Sequence, residues 1–507
     1  MPRSVLLLLI ALATNCAQAA AIRGVVLDHY TGRPLARTVV TLESIQGYGS
    51  AKTSLRTGST GQFVFTQLNP GAYLLSAARP NFATWKYGQK FWNAPGAPIF
   101  LTEENSPYLD LRLHRLAAIS GTIWDENEIG IAEQEVYAYR NSKPPTLSAR
   151  GRTDDRGGYR IGGLTPGQYL IRAGSKQLDE QTAVTPTFYK DSVSVEEARL
   201  VEVDLDQQLA DINVRPNFGK LYQLSGEVRP IPDQCPGSVF VTLTSDMGQK
   251  TASTPRFTFD QLSGGNYELV AEFIPSRPSS TCEQSAAYQA FHLGRDEKKI
   301  LELGRIPAVQ ISLDDADGKT VDSSLVTVVA RRKDLAGEGI PFEIKSGAIM
   351  LPGRWEMTAS ARGNVYPVSM TLLTAGSVQR GGRGDAWNEF LVHARMGVAL
   401  KVRVATGAAS LRGRVTKSIS DPAIGAPVYL EAVDPGSQKR LSDLRKIITD
   451  TRGDYRFVGL TPGSYRIVSS FEFEDPDERM MESVRAKTVV VSPGTESNHD
   501  LDLYLRP

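Results

Sequence analysis

The 507-residue sequence predicts an all-β fold, about five tandem Greek-key β-sandwiches in an extended array. Three observations carry that prediction. One phrase, G-x-aromatic-x-apolar, a spacer, then L-x-P-G-x-Y, is written three times: "TGSTGQFVFTQLNPGAYLLSA" (57–77), "TDDRGGYRIGGLTPGQYLIRA" (153–173) and "TDTRGDYRFVGLTPGSYRIVS" (449–469). Apolar residues alternate with polar ones over short runs bounded by Gly, Pro and Asp, the mark of half-buried strands. A helical period of comparable strength is missing throughout.

Each clear copy opens with an alternating strand, a Gly/Asp turn and a second strand. These are "IRGVVLDHYTGRPLARTVVTL" (22–42), "ISGTIWDENEIGIAEQEVYAY" (119–139) and "LRGRVTKSISDPAIGAPVYLEAV" (411–433). The repeated phrase follows and reads as an antiparallel pair covering a core, with one apolar face per strand. Pro presets φ at the first corner of its turn and Gly accepts a positive φ at the second. The aromatic residue two positions after that Gly is Tyr73, Tyr169 or Tyr465. Its ring is expected to pack inward while its hydroxyl reaches a loop backbone group, as in the tyrosine corner of sandwiches. Two worn copies fill the middle. "PRFTFDQLSGGNYELVA" (255–271) keeps Tyr267 but loses the Pro, and "FEIKSGAIMLPGRWEMTA" (342–359) puts Trp355 in the Tyr position. Ahead of the latter, "VQISLDDADGKTVDSSLVTVV" (309–329) reads as another opening hairpin. The expected division is 21–116, 117–216, 217–306, 307–408 and 409–507, joined with hardly any linker.

Residues 1–20 read as a secretory signal peptide: Arg3, the apolar run "VLLLLIALA", and a small-residue site with cleavage after Ala19 or Ala20. Asn15 before Cys16 argues against lipidation, and no later run reaches the roughly 18 apolar residues of a spanning helix. The protein is therefore expected to be exported and periplasmic, cell-surface or secreted. Of the three cysteines, Cys235 and Cys282 remain after the leader, an even pair within one repeat, and a disulfide between them is expected. A net charge of +1 from 57 basic and 56 acidic residues provides no basic excess for nucleic acid.

The strand–turn–strand opening together with "TDxxGxYxxxxLxPGxY" resembles the carboxypeptidase regulatory-like domain, a family related in shape to transthyretin-like, collagen-adhesin B-type and carbohydrate-binding-like folds. The resemblance is strong in copies one, two and five. It implies a β-sandwich that supports folding, adhesion or ligand binding in exported proteins, without a catalytic centre of its own.

The residues themselves point away from catalysis. None of the five histidines (His29, His114, His292, His393, His499) is followed three residues later by Glu, so the zinc-peptidase pattern is absent. They read as scattered surface residues. There is no G-x-S-x-G elbow and no phosphate loop. "DDADGK" (314–319) reads as a hairpin turn rather than a calcium loop, and "RGD" (383–385) as a turn or flexible loop. No cofactor and no metal are expected. What is left over is aromatic: Trp85, Tyr87, Phe91 and Trp92 in "FATWKYGQKFWNAPG", and Phe188 and Tyr189 in "PTFYKD". Such rings beside Lys, Gln and Asn suit the C–H face of a sugar; equally they could cap a sandwich edge or pack between neighbours. Two functions follow: recognition of a polysaccharide through these rings, or a structural spacer that contacts an envelope protein.

Overall fold

Each full copy of the repeated phrase is laid down as two strands on opposite sheets. In the first, Gln62–Leu68 buries Phe63 and Phe65, and Gly71–Ala78 buries Tyr73, Leu75 and Ala77. A computed structural model describes residues 20–505 apart from 46–50, 103–104, 143–144, 196, 232–234, 246–247, 280–281, 334–340, 419–420, 434–443, 474–480, 482–483 and 485. The expected leader up to residue 19 lies outside the described residues. The chain divides into a first unit ending at Leu116 and a second starting at Ala117, with residues 91–93 grouped with the second.

The first unit is a two-layer sandwich. Its three-stranded sheet has Ala20–Asp28 at the centre, antiparallel to Gln62–Leu68 on one side and parallel to the closing strand Tyr108–Leu113 on the other. The facing sheet runs Lys52–Arg56, Val39–Ser44, Gly71–Ala78, with Trp85–Lys86 and Ile99–Leu101 on the outer edge. The return of the fourth strand beside the first is the Greek-key connection. Between the layers lies a core that includes Ile22, Val26, Val40, Phe63, Leu75 and Leu111.

The second unit repeats the plan. Ala117–Thr122, Tyr222–Arg229 and Ala409–Ser418 each take the central place between an antiparallel strand (Gly158–Leu164, Arg256–Leu262, Asp454–Leu460) and a parallel closing segment. Separate apolar cores form around Ile119 and Ile171, around Leu224 and Phe273, and around Leu400 and Phe390. Multiple tandem sandwiches are therefore present, as the repeats predict.

Three pairings differ from the expectation. The opening strand and the one after it do not form a hairpin: Ala20–Asp28 and Val39–Ser44 belong to different sheets, and so do Val309–Asp314 and Val326–Arg332. Nor do the two strands of the repeated phrase pair with each other. Alternation at period two reports which face of a strand is buried. It does not report the partner, and two strands facing one core from opposite sides give the same pattern as a hairpin. The worn copy near Trp355 departs furthest. Its Phe342–Ile344 pairs with Val326–Arg332, and the place beside Val398–Thr406 is filled by a hairpin of Val365–Thr374 and Ser377–Arg383.

Candidate functional site

The repeated L-x-P-G-x-Y phrase forms a latched corner between sheets. Its Gly takes a backbone that side chains avoid, with φ of 149° at both Gly167 and Gly463 and 137° at Gly353. The aromatic residue two positions on is buried, and its polar atom donates to the carbonyl four residues upstream. Tyr73 reaches Asn69 at 2.8 Å, Tyr169 reaches Thr165 at 2.9 Å, Tyr267 reaches Ser263 at 2.9 Å and Tyr465 reaches Thr461 at 2.7 Å. Trp355 makes the same bond with its indole Nε1, to Leu351 at 2.8 Å, so the substitution keeps the donor. Burial pushes the hydroxyls of Tyr267 and Tyr465 upward in pKa, the latter helped by the Asp385 charge, and they remain neutral donors.

Two further recurrences explain themselves in the structure. A threonine opening each clear phrase is buried and staples two loops: Thr57, Thr153 and Thr449 donate to Leu35, Ile131 and Ala423 at 2.6, 2.6 and 2.5 Å. A glycine stands in four opening strands because the closing strand's carbonyl occupies the place of a side chain. A Cβ at Gly24, Gly121, Gly226 or Gly413 would meet the oxygen of Leu109, Ile212, Lys299 or His499 at 1.9, 2.2, 2.3 or 2.0 Å. Both residue types recur at fixed offsets in the sequence; their chemistry did not single them out.

The candidate ligand-binding rings separate. Trp85 and Tyr87 are half-buried and pack against the first core, and Trp85 lies 4.5 Å from the ring of His114. Phe91 and Trp92 are half-buried, and Trp92 Nε1 is a buried donor without a partner among the described residues. Phe188 is 2% exposed, within a small core with Tyr139 and Leu170 and beneath the Arg172 guanidinium, so it offers no open face. Tyr189 is half-buried against the second core, with Lys190 over its ring. Phe188 and Tyr189, adjacent in sequence, thus pack against different cores.

The histidines are not all scattered. His29 and His114 stack with centroids 3.9 Å apart and carry ring nitrogens within 4.8 Å of each other, two of the ligands a transition metal takes. Sequence separation hid them; the parallel pairing of the first unit's opening and closing strands brings their ends together. "DDADGK" is a turn, with the Asp315 carboxylate accepting from the backbone of Asp317 and Lys319. The Cys235–Cys282 disulfide is present, its Cα atoms 5.6 Å apart and both cysteines buried in the third core.

"RGD" falls on a strand end followed by a turn at Gly384 and Asp385, and that turn is buried. Arg383 ends a strand and Asp385 is buried, its side chain only 1% exposed. The carboxylate accepts from Arg383 Nε at 2.8 Å and from Arg445 at 3.2 Å and lies 3.1 Å from the Tyr465 hydroxyl, while Arg383 also donates to the Thr461 carbonyl at 3.0 Å. Burial would raise the Asp385 pKa, but the hydrogen bond from Arg383 and the charges of Arg445 and Arg383 hold it below the usual carboxylate range. These partners lie in the last two sandwiches, so the tripeptide is a clamp on the Tyr465 corner rather than an exposed loop. A second clamp joins the third and fourth: Arg354 reaches Glu268 at 2.8 Å and Glu389 at 2.6 Å, and the buried Lys333 ammonium also pairs with Glu389.

Comparison with known proteins adds the following. Residues 21–114, the first sandwich, match the family model of the carboxypeptidase regulatory-like domain. No curated protein matches the sequence significantly. Among solved structures the chain is similar to the minor pilin of Streptococcus agalactiae (12% identity, 39% of this chain and 95% of that one, TM-score 0.24). It is also similar to the major pilin subunit of Bacillus cereus (12%, 76% and 99%, TM-score 0.14). Scores this low support no inference about function.

Proposed function

We propose that this chain is an exported, non-enzymatic scaffold outside the cytoplasm, five self-contained sandwiches bounded as 21–116, 117–216, 217–306, 307–408 and 409–507, that presents its outer strands to an envelope protein. One observation carries the reading. The polar groups that recur or look functional in the sequence are used to hold the architecture: the corner tyrosines bond their own loops, and the RGD carboxylate and Arg354 tie sandwich to sandwich. Buried charges with one partner on each side of a junction fix an orientation, because separating them leaves a desolvated ion unpaired. Photo-crosslinking probes at exposed strand positions such as Val64, Val378 and Val490 test this in intact cells. Discrete adducts with one or a few envelope proteins are expected. Their absence from every probe sinks the proposal.

A second reading, polysaccharide recognition, draws on Trp85, Tyr87, Phe91 and Trp92, which stay half-exposed within one short segment, and on the unpartnered Trp92 indole donor. It expects retention on an insoluble polysaccharide and loss of retention in Trp92→Ala. Equal retention of variant and wild type removes it.

A further inference from the structure

Between the second and third sandwiches lies a cavity of about 680 Å³, within the range of small-molecule sites. Its walls come from the ends of strands and the loops beyond them: Tyr137, Tyr139 and Arg172 on one side, Lys250, Asn266 and Tyr267 on the other. Among the described lining residues the charged side chains are Arg172 and Lys250, both cationic. Eight of the lining side chains bear a hydroxyl and three an amide.

Arg172 is incompletely satisfied. Its guanidinium sits over the Phe188 ring at 5.7 Å, makes one long hydrogen bond to the Tyr139 hydroxyl at 3.4 Å, and keeps its buried Nε without a partner. A guanidinium carries five N–H donors, and one this short of protein acceptors has donors left to offer an anion, a carboxylate matching its fork. Lys250 gives one hydrogen bond to the Asp260 carbonyl at 2.7 Å, and partial desolvation lowers its pKa. An ammonium has three donors.

We propose that this cavity binds a carboxylate-bearing sugar, a uronic acid unit of an acidic polysaccharide. The Arg172 guanidinium takes the carboxylate, Lys250 adds a second positive charge, and the hydroxyl- and amide-rich wall takes the ring hydroxyls. The dense set of hydroxyl and amide partners favours a polyhydroxylated anion over an acidic peptide, whose side-chain methylene groups would leave part of that wall unpaired. The site is independent of the scaffold reading and of the rings in the first sandwich.

The test is calorimetric titration of the full exported chain with uronate trisaccharides (galacturonate, mannuronate), a neutral trisaccharide, sodium acetate and a hexaglutamate peptide. A uronate trisaccharide is expected to bind at least tenfold more tightly than the neutral one. Arg172→Gln is expected to weaken it at least tenfold, and Lys250→Gln, an exposed position that does not threaten the fold, severalfold. Thermal melting of each variant checks that the sandwiches stay folded, and Trp92→Ala is expected to leave uronate binding unchanged. The proposal is overturned if no uronate binds at millimolar concentration, or if both variants bind as wild type. It is equally overturned if acetate or hexaglutamate binds as well as the sugar with the same dependence on Arg172.

Discussion

Replacing Asp385 by Asn removes one charge and almost no volume, and it should loosen the contact between the fourth and fifth sandwiches. The carboxylate is 1% exposed, with Arg383 at 15% and Arg445 at 29%, so neither guanidinium can rehydrate fully when its partner is lost. Breaking a buried pair from one side costs roughly 3–5 kcal/mol, and the partial exposure of Arg445 moves this toward the lower end, about 3 kcal/mol. At about 1.4 kcal/mol per tenfold change, that is roughly a hundredfold in the local opening equilibrium. Hydrogen exchange resolved by peptide is the fitting assay, because a multi-sandwich chain has no single unfolding free energy. Residues 377–391 and 463–469 should lose about two decades of protection while the second sandwich is unchanged. The pH dependence has a definite sign. Burial works to raise the Asp385 pKa, but Arg383 and Arg445 outweigh it, so the folded value lies below the unfolded one of about 3.9. The stabilisation is complete above that value and disappears as pH falls through the folded pKa. The Asn variant should lack this acid limb. Protection within threefold of wild type at neutral pH would refute the reasoning.

Other expectations concern single sandwiches. Tyr169→Phe leaves the half-buried Thr165 carbonyl without its 2.9 Å donor and should destabilise the second sandwich by about 1 kcal/mol in calorimetry; no shift in its transition contradicts the latch. Reducing Cys235–Cys282 reopens a loop of sequence separation 47, worth about 4 kcal/mol on the chain-entropy model, and should lower the melting of the third sandwich alone. Gly121→Ala places a Cβ 2.2 Å from the Ile212 carbonyl oxygen and should abolish the second sandwich's cooperative transition. Ala20 is buried and paired with Leu68 at the start of its strand, so the export reading expects a mature N-terminus at Ala20 by mass spectrometry; one at Ala21 contradicts that.

Much of the architecture was legible because apolar alternation and Pro-Gly turns are local signals. Phe63, Phe65, Tyr73 and Leu75 are all buried as their alternation requires. Pairing was not legible, since the same alternation serves a hairpin and a pair of facing sheets. The residues that settle the matter, Gly24 and its counterparts, register a contact with a segment more than 70 residues away. Trp355 was readable as a stand-in for Tyr because an indole N–H can make the same bond. The RGD clamp was not, because its partners Arg445 and Tyr465 belong to the next repeat. The His29–His114 stack was hidden by the same long-range closure.

That closure has a consequence for the order in which the chain can fold as it is made. In the first unit Arg23 pairs with Tyr108, so the earliest strand of the sandwich stays open along one side until the last one has been synthesised. The third sandwich is alike, with Leu224 waiting for Glu297. Synthesis from the N-terminus therefore exposes one bare sheet border at a time, and each is sealed before the next sandwich is complete. A chain made in this order keeps few sticky borders available to neighbouring molecules at any moment.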